Sequence, residues 1–370
     1  MLGSTTRGRG SPPAPTATAP VPALELVSGP VGDLLETFLA ERVADLARLD
    51  PALERIGVEV ADLVRAGGKR LRPAFVYWGH RAAGADHDDG LWAPAGAVEL
   101  LHTFALIHDD VMDRSPERRG RPAVHEALAN AHREDGLCGD PAWFGIGGAI
   151  LAGDLAFVWA DQLLDGAELP ADAIERARRV FGRLRVEVMA GQYLDLRLAG
   201  LDGASEEDSL RVALLKSGRY TVTRPLQLGA AIGGGDDVLD AALCAFGDAV
   251  GLAFQLRDDV LGLFGDPSAT GKGALSDLRE GKRTVLMIRA LQLATPPGRK
   301  ILERVLGNPD LGESDAERAR EVVLDCGALE AVERLLTVQQ AAARRALAPV
   351  RPPARQALEE LADLAAFRAV

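Results

Sequence analysis

Apolar residues recur at helical spacing along most of this chain. Near the start of the pattern, Leu35, Phe38, Leu39, Val43 and Leu46 fall on one face of a predicted helix. Similar spacings continue almost to the C-terminus, and no segment shows a convincing alternation of apolar and polar residues. The pattern therefore predicts an all-α protein with roughly ten or more helices.

The same pattern divides the chain. Residues 1–28 are rich in Pro, Ala, Thr, Ser and Gly and lack periodic apolar residues, so we expect a disordered tail there. Clusters of Gly and Pro mark later breaks between helices, and the polar stretch 130–145 predicts a loop. Because neither a fixed-period repeat nor a composition shift marks a second domain, residues 29–370 are predicted to form a single all-α domain.

Composition limits the partners and the compartment. The chain of 370 residues has a net charge of -12, which disfavours nonspecific binding of nucleic acid. The three cysteines, Cys138, Cys244 and Cys326, are far apart, which argues against a zinc site or a disulfide framework and fits a reducing cytoplasm. Arg7 and Arg9 are not followed by a signal-peptide core, and no apolar run reaches the roughly 18 residues that span a bilayer. We therefore expect a cytoplasmic protein without stable membrane insertion.

A first acidic cluster, Asp109, Asp110 and Asp113, ends an apolar helical segment. Asp109 and Asp113 share a helix face, and carboxylates at a helix C-terminus are disfavoured both by mutual repulsion and by the macrodipole. A cation that neutralises the cluster would remove both penalties, and magnesium prefers a few carboxylates together with phosphate oxygens. Arg118 and Arg119 follow closely, which suits a diphosphate bridged by metal. The alternative is a solvated acidic helix end.

A second acidic cluster, Asp258 and Asp259, lies in an apolar helical segment. Gln255, both aspartates and Gly262 follow helical spacing and share one face. A carboxylate pair in such surroundings is costly unless it is paired or bound to metal. The two clusters together indicate a magnesium-dependent diphosphate site with two sides.

Basic residues surround these clusters in the sequence. Lys69, Arg70 and Arg72 follow a pair of glycines and can bind a diphosphate without metal, although a helix boundary with solubilising charges is the alternative. His102 lies two helical turns before Asp109 and therefore on the same face. The other candidates are Lys216 and Ser217 upstream of the second cluster, and Lys272 and Lys282 downstream of it.

In order, these blocks resemble the trans-isoprenyl diphosphate synthases, also called polyprenyl synthetases, and most of all a bacterial geranylgeranyl diphosphate synthase. The matching blocks, spread over residues 30–368, are GGKRLRP, LLHTFALIHDDVMD, RRGRPAVH, AGDLAF, GQYLDL, KSG and FQLRDDVLGLFGD through DLREGKRT. Two positions depart from the family. Gly262 stands where many members have a third aspartate, and Ser276 stands where an aspartate is frequent, which leaves Asp277 as the acidic residue there.

The resemblance implies the isoprenoid synthase fold, a helical bundle around a deep cavity, and a homodimer. It also implies the condensation of isopentenyl diphosphate with an allylic diphosphate, head to tail, to give a trans-polyprenyl diphosphate. The roles that it implies are as follows: Asp109, Asp110, Asp113, Asp258 and Asp259 bind about three magnesium ions; Arg118, Lys216, Lys282 and, more weakly, Lys272 contact the allylic diphosphate; Lys69, Arg70, Arg72, His102 and Arg119 serve isopentenyl diphosphate; Ser217, usually Thr in the family, and Gln255 face the reacting carbons.

Product length is expected to depend on the helix that precedes Asp109. Members of the family that stop at fifteen carbons often have bulky aromatic residues at both positions nearest the motif, or an insertion within it. Here Ala105 stands one turn before Asp109, Phe104 is beside it, Leu101 lies deeper, and the motif has no insertion. This favours a twenty-carbon product, geranylgeranyl diphosphate, with Phe104 or deeper residues as the floor. The alternative is that Phe104 is core packing and that length is set elsewhere.

Other functions remain open at this point. A farnesyl or longer polyprenyl diphosphate synthase would share every block, and a noncatalytic subunit of a heteromeric synthase would share the fold but typically lacks one acidic motif. A terpene cyclase usually has a different second metal motif and lacks GGKRLRP. Because both acidic clusters and GGKRLRP are present, a catalytic synthase is favoured.

Overall fold

Helices account for nearly all the regular structure in the computed structural model, which describes residues 21–201, 203–265 and 275–367. In chain order they are α1 (Pro22–Leu49), α2 (Glu54–Arg65), α3 (Leu71–Ala82), α4 (Trp92–Met112), α5 (Val124–Glu134), α6 (Pro141–Asp165), α7 (Ala171–Ala199), α8 (Glu206–Val212), a π-helix (Ala213–Thr223), α9 (Arg224–Ile232), α10 (Asp237–Phe264), α11 (Ser276–Arg279), α12 (Val285–Leu293), α13 (Pro296–Val305), α14 (Glu313–Asp325), α15 (Ala328–Ala346) and α16 (Ala354–Ala362). A short 3-10 turn (Pro51–Leu53) precedes α2, and a π-helical turn (Asp363–Phe367) follows α16. The prediction of an all-α fold is confirmed.

The strands in the described part of the chain form one short hairpin of two residues each. The sequence pattern did not predict it. Strand β1 (Glu117–Arg118) pairs antiparallel with β2 (Arg121–Pro122). Arg119 and Gly120 form the turn, both with positive φ, at 55° and 72°. The hairpin is too short to produce a periodic signal, but it fixes Arg118 and Arg119 just beyond the first acidic cluster.

The predicted boundaries need two corrections. Helix α1 begins at Pro22, so residues 22–28 are helical instead of belonging to the tail, because Ala23 and Val27 are buried and the Ala23 carbonyl accepts a hydrogen bond of 2.8 Å from Trp78 Nε1. The disorder predicted for residues 1–20 falls outside the described residues. The loop predicted for residues 130–145 is shorter, because α5 continues to Glu134 and α6 starts at Pro141.

In the middle of the fold, helices pack closely because a glycine of one helix lies against the backbone of the next. The π-helix packs between α7 and α10. A Cβ atom added to Gly218 would lie 2.9 Å from the carbonyl carbon of Gly251, and one added to Gly191 would collide with the Lys216 backbone. These close approaches bring Lys216 and its neighbours toward α4, whose C-terminal end carries the first acidic cluster.

Helix α6 leaves much of its apolar surface uncovered. Within the described chain it is the one helix long and apolar enough to cross a membrane, and 33% of its apolar window is buried. The sequence shows no uninterrupted apolar run here, because Asp154 and Asp161 break it. Asp161 pairs with Arg185 of α7 at 2.6 Å, which holds α6 and α7 side by side.

Candidate active site

A cavity of about 970 Å³ opens between α4, α7, the π-helix and α10. It contains most of the residues predicted from the sequence. Those that line it are Lys69, Arg72, His102, Phe104, Ala105, Asp109, Arg118, Arg119, Lys216, Ser217, Gln255, Asp258, Asp259 and Lys282. Asp109 of the first cluster and both aspartates of the second, far apart in the sequence, therefore line one space, whereas Asp110 and Asp113 lie outside its lining. Lys272 lies outside the described residues.

Asp109 lies at the centre of a set of polar contacts. Its Oδ1 atom is 3.0 Å from Lys216 Nζ and accepts a hydrogen bond of 3.1 Å from Gln192 Nε2. Lys216 also reaches Asp195 Oδ2 at 2.6 Å. Burial alone would lower the pKa of Lys216, but Asp109 and Asp195 raise it above the ordinary value for lysine. Lys216 is therefore a permanent cation beside the first acidic cluster.

The two other carboxylates of the first cluster have different cationic partners. Asp110 is almost fully buried, and its Oδ1 atom accepts a hydrogen bond of 2.9 Å from Arg118 Nε. Asp113 Oδ2 lies 3.4 Å from Lys282 Nζ. Lys282 in turn lies 3.4 Å from Asp277, so this lysine links α4 to the segment that follows α10. The cluster thus faces cations on two sides.

The second acidic cluster is more deeply buried than the first. Asp259 is 8% exposed, and its Oδ1 atom accepts a hydrogen bond of 2.7 Å from Gln255 Nε2. Burial raises the pKa of Asp259 to about 8, with repulsion from Asp277 and Asp258 adding to the effect and the Gln255 hydrogen bond opposing it. A neighbouring cation would reverse this preference and favour the carboxylate.

The Asp277 carboxylate occupies the space that a side chain at Gly262 would fill. A Cβ atom added to Gly262 would collide with Asp277 Oδ2, so the missing side chain makes room for this carboxylate. Asp277 also lines the cavity. The α10 side of the site therefore receives its third acidic group from the segment after α10, at the position where many members of the family have an aspartate on the helix.

These donors fit magnesium. All are hard carboxylate oxygens, and Asp109, Asp258, Asp259 and Asp277 line the same cavity. Among the described residues, no three such side chains assemble into a closed metal-binding group. Magnesium that binds phosphates usually completes its coordination with water and ligand oxygens.

A group of cations lies beside the first cluster. Burial lowers the pKa of Arg119, with repulsion from Arg70 and Arg72 adding to the effect and Glu99 opposing it. Arg72 Nε is buried without a hydrogen-bond partner among the described residues. The Arg119 guanidinium packs against Gly68, which has no side chain to exclude it. A Cβ atom on Gly68 would lie 3.2 Å from Arg119 Nη2. An anion bound here would relieve both the repulsion and the unsatisfied donor.

Arg70 and Leu101 are placed elsewhere than predicted. The guanidinium of Arg70 is 2.7 Å from Glu99 and donates a hydrogen bond of 2.9 Å to the Val64 carbonyl, outside the lining of the cavity. Leu101 is 1% exposed and packs in the hydrophobic core, also outside the lining. Phe104 and Ala105, in contrast, do line the cavity, and the Phe104 ring lies 5.0 Å from that of Phe157.

Some polar residues of the cavity were not singled out in the sequence. Gln192 and Asp195 belong to the block GQYLDL, and their spacing of three residues on α7 was the available signal. Tyr220 and Thr221 follow Lys216 on the π-helix, and both receive hydrogen bonds from Arg72. No local pattern pointed to these two residues, because their partner is far away in the sequence.

Comparison with known proteins identifies the family. The sequence profile of the polyprenyl synthetase family matches residues 55–323. A geranylfarnesyl diphosphate synthase from Aeropyrum pernix is 32% identical over 79% of this chain and 86% of its own length. A geranylgeranyl diphosphate synthase from Sulfolobus acidocaldarius is 34% identical over 70% of this chain and 74% of its own.

Solved structures add the fold. A geranylgeranyl pyrophosphate synthase from Corynebacterium glutamicum, complexed with isoprenyl diphosphate and magnesium, superimposes with a TM-score of 0.89 at 36% identity, covering 93% of this chain and 99% of its own. The all-α bundle is thus the isoprenoid synthase fold. The chain therefore belongs to the polyprenyl synthetase family and is a prenyltransferase of the trans-isoprenyl diphosphate synthase type.

Proposed function

We propose that this enzyme condenses isopentenyl diphosphate with an allylic diphosphate and releases geranylgeranyl diphosphate. The observation that carries the proposal is the cavity itself. Asp109, the two aspartates of the second cluster and a group of cations line its polar part, and Phe104 and Ala105 line it below Asp109. Such a cavity suits a substrate with a charged head and a long apolar tail.

The allylic diphosphate would lie between the acidic clusters. Asp109, Asp110, Asp113, Asp258 and Asp259 would hold magnesium, with about three ions expected. Magnesium would supply neutralisation of the charge that develops on the leaving diphosphate. Lys216, Lys282 and Arg118 would contact the same diphosphate, since each already lies beside a carboxylate of the first cluster. Lys272 is also expected to contribute.

Isopentenyl diphosphate would bind at the cationic group. Arg72, His102 and Arg119 line the cavity together with Lys69, which makes no ion pair with any described residue. Burial lowers the pKa of His102 well below its ordinary value, and Arg72 and Arg119 lower it further, so the ring is neutral at physiological pH. A diphosphate would pair with the three cations and accept a hydrogen bond from the imidazole.

The chain's own dipoles would steer the reacting carbons. Departure of diphosphate leaves a positive charge on the allylic carbon. The Gln255 amide oxygen and the Ser217 hydroxyl oxygen would face this carbon and stabilise its charge. The double bond of isopentenyl diphosphate then attacks this carbon. The proton lost from the adduct would pass to the departed diphosphate. Positioning and electrostatics supply most of the rate gain.

Product length would be limited by α4. Phe104 is 9% exposed and forms part of the wall, whereas Ala105 leaves space one turn below Asp109. We expect Phe104→Ala to shift the product toward longer chains and Ala105→Phe to shift it toward fifteen carbons or fewer. Leu101→Ala is the matched control, because Leu101 is packed in the core outside the cavity lining. An unchanged product distribution in both Phe104→Ala and Ala105→Phe would contradict this floor.

The deciding experiment is incubation with labelled isopentenyl diphosphate, each allylic starter and magnesium, followed by chromatography of the products. A twenty-carbon prenyl diphosphate would support the proposal. A shorter or longer product would reassign the length, and cyclised hydrocarbon would indicate a terpene cyclase. An absence of turnover with every starter would indicate a noncatalytic subunit. A chelator should abolish elongation.

A homodimer is the assembly that we propose, and the apolar face of α6 and α7 supports it. Asp161 and Arg185 join the two helices, and both helices leave apolar residues exposed. These include Trp143, Ile150, Leu151 and Val158 on α6 and Val186, Met189, Tyr193 and Leu196 on α7. A surface of this kind usually marks an interface. Met189, Tyr193 and Leu196 also line the cavity, so a partner on this face would close its open wall.

We further propose that the enzyme acts in the cytoplasm. Its three cysteines are free thiols, which suits a reducing compartment. Its substrates carry diphosphates and are water-soluble at the start of the reaction. The exposed face of α6 suits a dimer better than a membrane, because α6 carries three aspartates, two of them paired with arginines of α7.

A further inference from the structure

The hydroxyl group of Tyr220 lies between two residues to which the proposed function assigns isopentenyl diphosphate. Its oxygen is 2.7 Å from Arg72 Nη2 and 3.1 Å from His102 Nδ1. The ring carries a second contact, because the Arg72 guanidinium carbon lies 4.5 Å from the ring centroid. One tyrosine therefore holds an arginine and a histidine from two different helices, α3 and α4.

The direction of these hydrogen bonds follows from the groups themselves. A guanidinium only donates, so the phenol oxygen accepts from Arg72. The single phenol proton is then free to go to His102, which is neutral and has one ring nitrogen that accepts. We assign this role to Nδ1, the nitrogen that contacts the phenol, which places the imidazole proton on Nε2. The ring thus has one nitrogen engaged by Tyr220 and an N–H donor on the other.

We propose that Tyr220 is a positioning residue for isopentenyl diphosphate, which fixes the tautomer of His102 and the orientation of Arg72 at the cavity. The inference rests on the proposed function, because it takes the cationic group as the site of this substrate. Tyr220 itself does not need to touch the diphosphate. It ensures that a donor on the imidazole and a donor on the guanidinium are presented together.

Arg72 has a second hydrogen-bond partner, which limits how much affinity for isopentenyl diphosphate is lost when the Tyr220 hydroxyl is removed. Its Nη2 atom also donates to Thr221 Oγ1 at 2.8 Å. Removing only the Tyr220 hydroxyl therefore leaves Arg72 held by Thr221 and by the ring face, but leaves His102 free to adopt either tautomer. We expect a weakening of roughly tenfold, the loss typical of one hydrogen bond to a charged group.

The test compares Tyr220→Phe with the wild type. We expect the KM for isopentenyl diphosphate and its dissociation constant, measured by calorimetry without an allylic substrate, to rise roughly tenfold. The KM for the allylic diphosphate and the melting temperature should stay the same. Tyr77→Phe is the control, because it removes a phenol hydroxyl from a buried ring that stacks on Trp92, away from the cavity.

Three outcomes would overturn the inference. An unchanged affinity for isopentenyl diphosphate would remove Tyr220 from the site. An equal loss for both substrates together with a lower melting temperature would indicate a purely structural role. Failure of the wild type to bind isopentenyl diphosphate at all would show that the cationic group serves another ligand. If the wild type binds it but does not elongate, the proposed function fails while the calorimetry still tests Tyr220.

Discussion

Gly262 is informative because of the side chain that it lacks. Its α10 position faces Asp277, and a Cβ atom there would collide with the carboxylate. The sequence showed a missing acidic residue, whereas the structure shows that an acidic group from another segment occupies the space. We interpret the pair as an exchange, in which the third carboxylate comes from Asp277 because residue 262 is glycine.

Gly262→Ala should therefore impair metal binding more than stability. The added methyl group would displace the end of a flexible side chain, so the fold should tolerate it, but the Asp277 carboxylate would move. We expect the magnesium concentration for half-maximal activity to rise roughly tenfold, with little change in melting temperature. Gly147→Ala is the matched helix control, since a Cβ atom there meets nothing within 4 Å. Equal magnesium curves for both variants would contradict the exchange.

Asp259 should make the stability of the metal-free protein depend on pH. Its folded pKa is raised from 3.8 to about 8, so the contribution is present at low pH and is lost as pH rises toward about 8. Asp259→Asn has no charge to bury and should be more stable than the wild type at pH 8, by roughly 5 kcal/mol, and similar at pH 4.

Thermal unfolding in a chelator across this pH range would measure the difference. Added magnesium should reverse the order at pH 8, because a bound cation favours the carboxylate. Unfolding curves that stay parallel for the two proteins at every pH would contradict the assignment.

Sequence reasoning found the residues whose signal is local. Asp109 and Asp258 stand out through their spacing and their apolar surroundings, and both line the cavity. Arg70 stood in the same basic run as Arg72, but its guanidinium pairs with Glu99 instead. Tyr220 gave no signal, because its partners lie in α3 and α4. A pattern along one helix cannot report which distant side chain completes a hydrogen bond.

The π-helix is the element that most shapes the site. It carries Lys216, Ser217, Tyr220 and Thr221, all of which line the cavity. The wider turn of a π-helix brings residues four and five apart toward one side, and such segments occur frequently at functional sites. Apolar periodicity predicts a helix here but cannot distinguish a π-helix from an α-helix, so this part of the geometry could not be predicted.

Gly251→Ala should test how tightly the π-helix is held. A Cβ atom on Gly251 would lie 2.7 Å from the carbonyl carbon of Gly218, and neither backbone can move alone. We expect a loss of about 2 kcal/mol or more in the free energy of unfolding, measured by denaturant titration. Gly182→Ala on α7 is the control, because a Cβ atom there meets nothing within 4 Å; it should stabilise by about 0.5–1 kcal/mol. A neutral Gly251→Ala variant would show that the crossing is loose.

At the scale of the whole molecule, the exposed face of α6 and α7 should control assembly. Leu151 is 59% exposed on that face. Leu151→Lys would bury an unpaired charge in a dimer interface, which costs about 3–5 kcal/mol, and should therefore yield monomers. Leu49→Lys is the control, because Leu49 is 77% exposed at the end of α1. Sedimentation velocity at micromolar concentration would distinguish the two, and a dimeric Leu151→Lys variant would place the interface elsewhere.

The overall architecture followed from the sequence more reliably than its details did. Helical spacing of apolar residues is repeated many times, so single errors, such as the length of the loop near 130–145, do not change the fold class. The start of α1 depended on a tertiary contact between Ala23 and Trp78, which composition cannot reveal. Helix content is thus set locally, whereas helix ends are set by what they pack against.

The contacts of Lys216 and Lys282 have a thermodynamic consequence. Each lysine lies beside a carboxylate that is proposed to bind magnesium, Asp109 at 3.0 Å and Asp113 at 3.4 Å. A lysine that turns toward a diphosphate oxygen leaves its carboxylate more negative, which strengthens the binding of a cation there. The two ligands are then linked, and linkage is reciprocal: the factor by which diphosphate tightens magnesium binding equals the factor by which magnesium tightens diphosphate binding. The ion pairs of the ligand-free protein would thus make magnesium and the diphosphate substrate bind cooperatively.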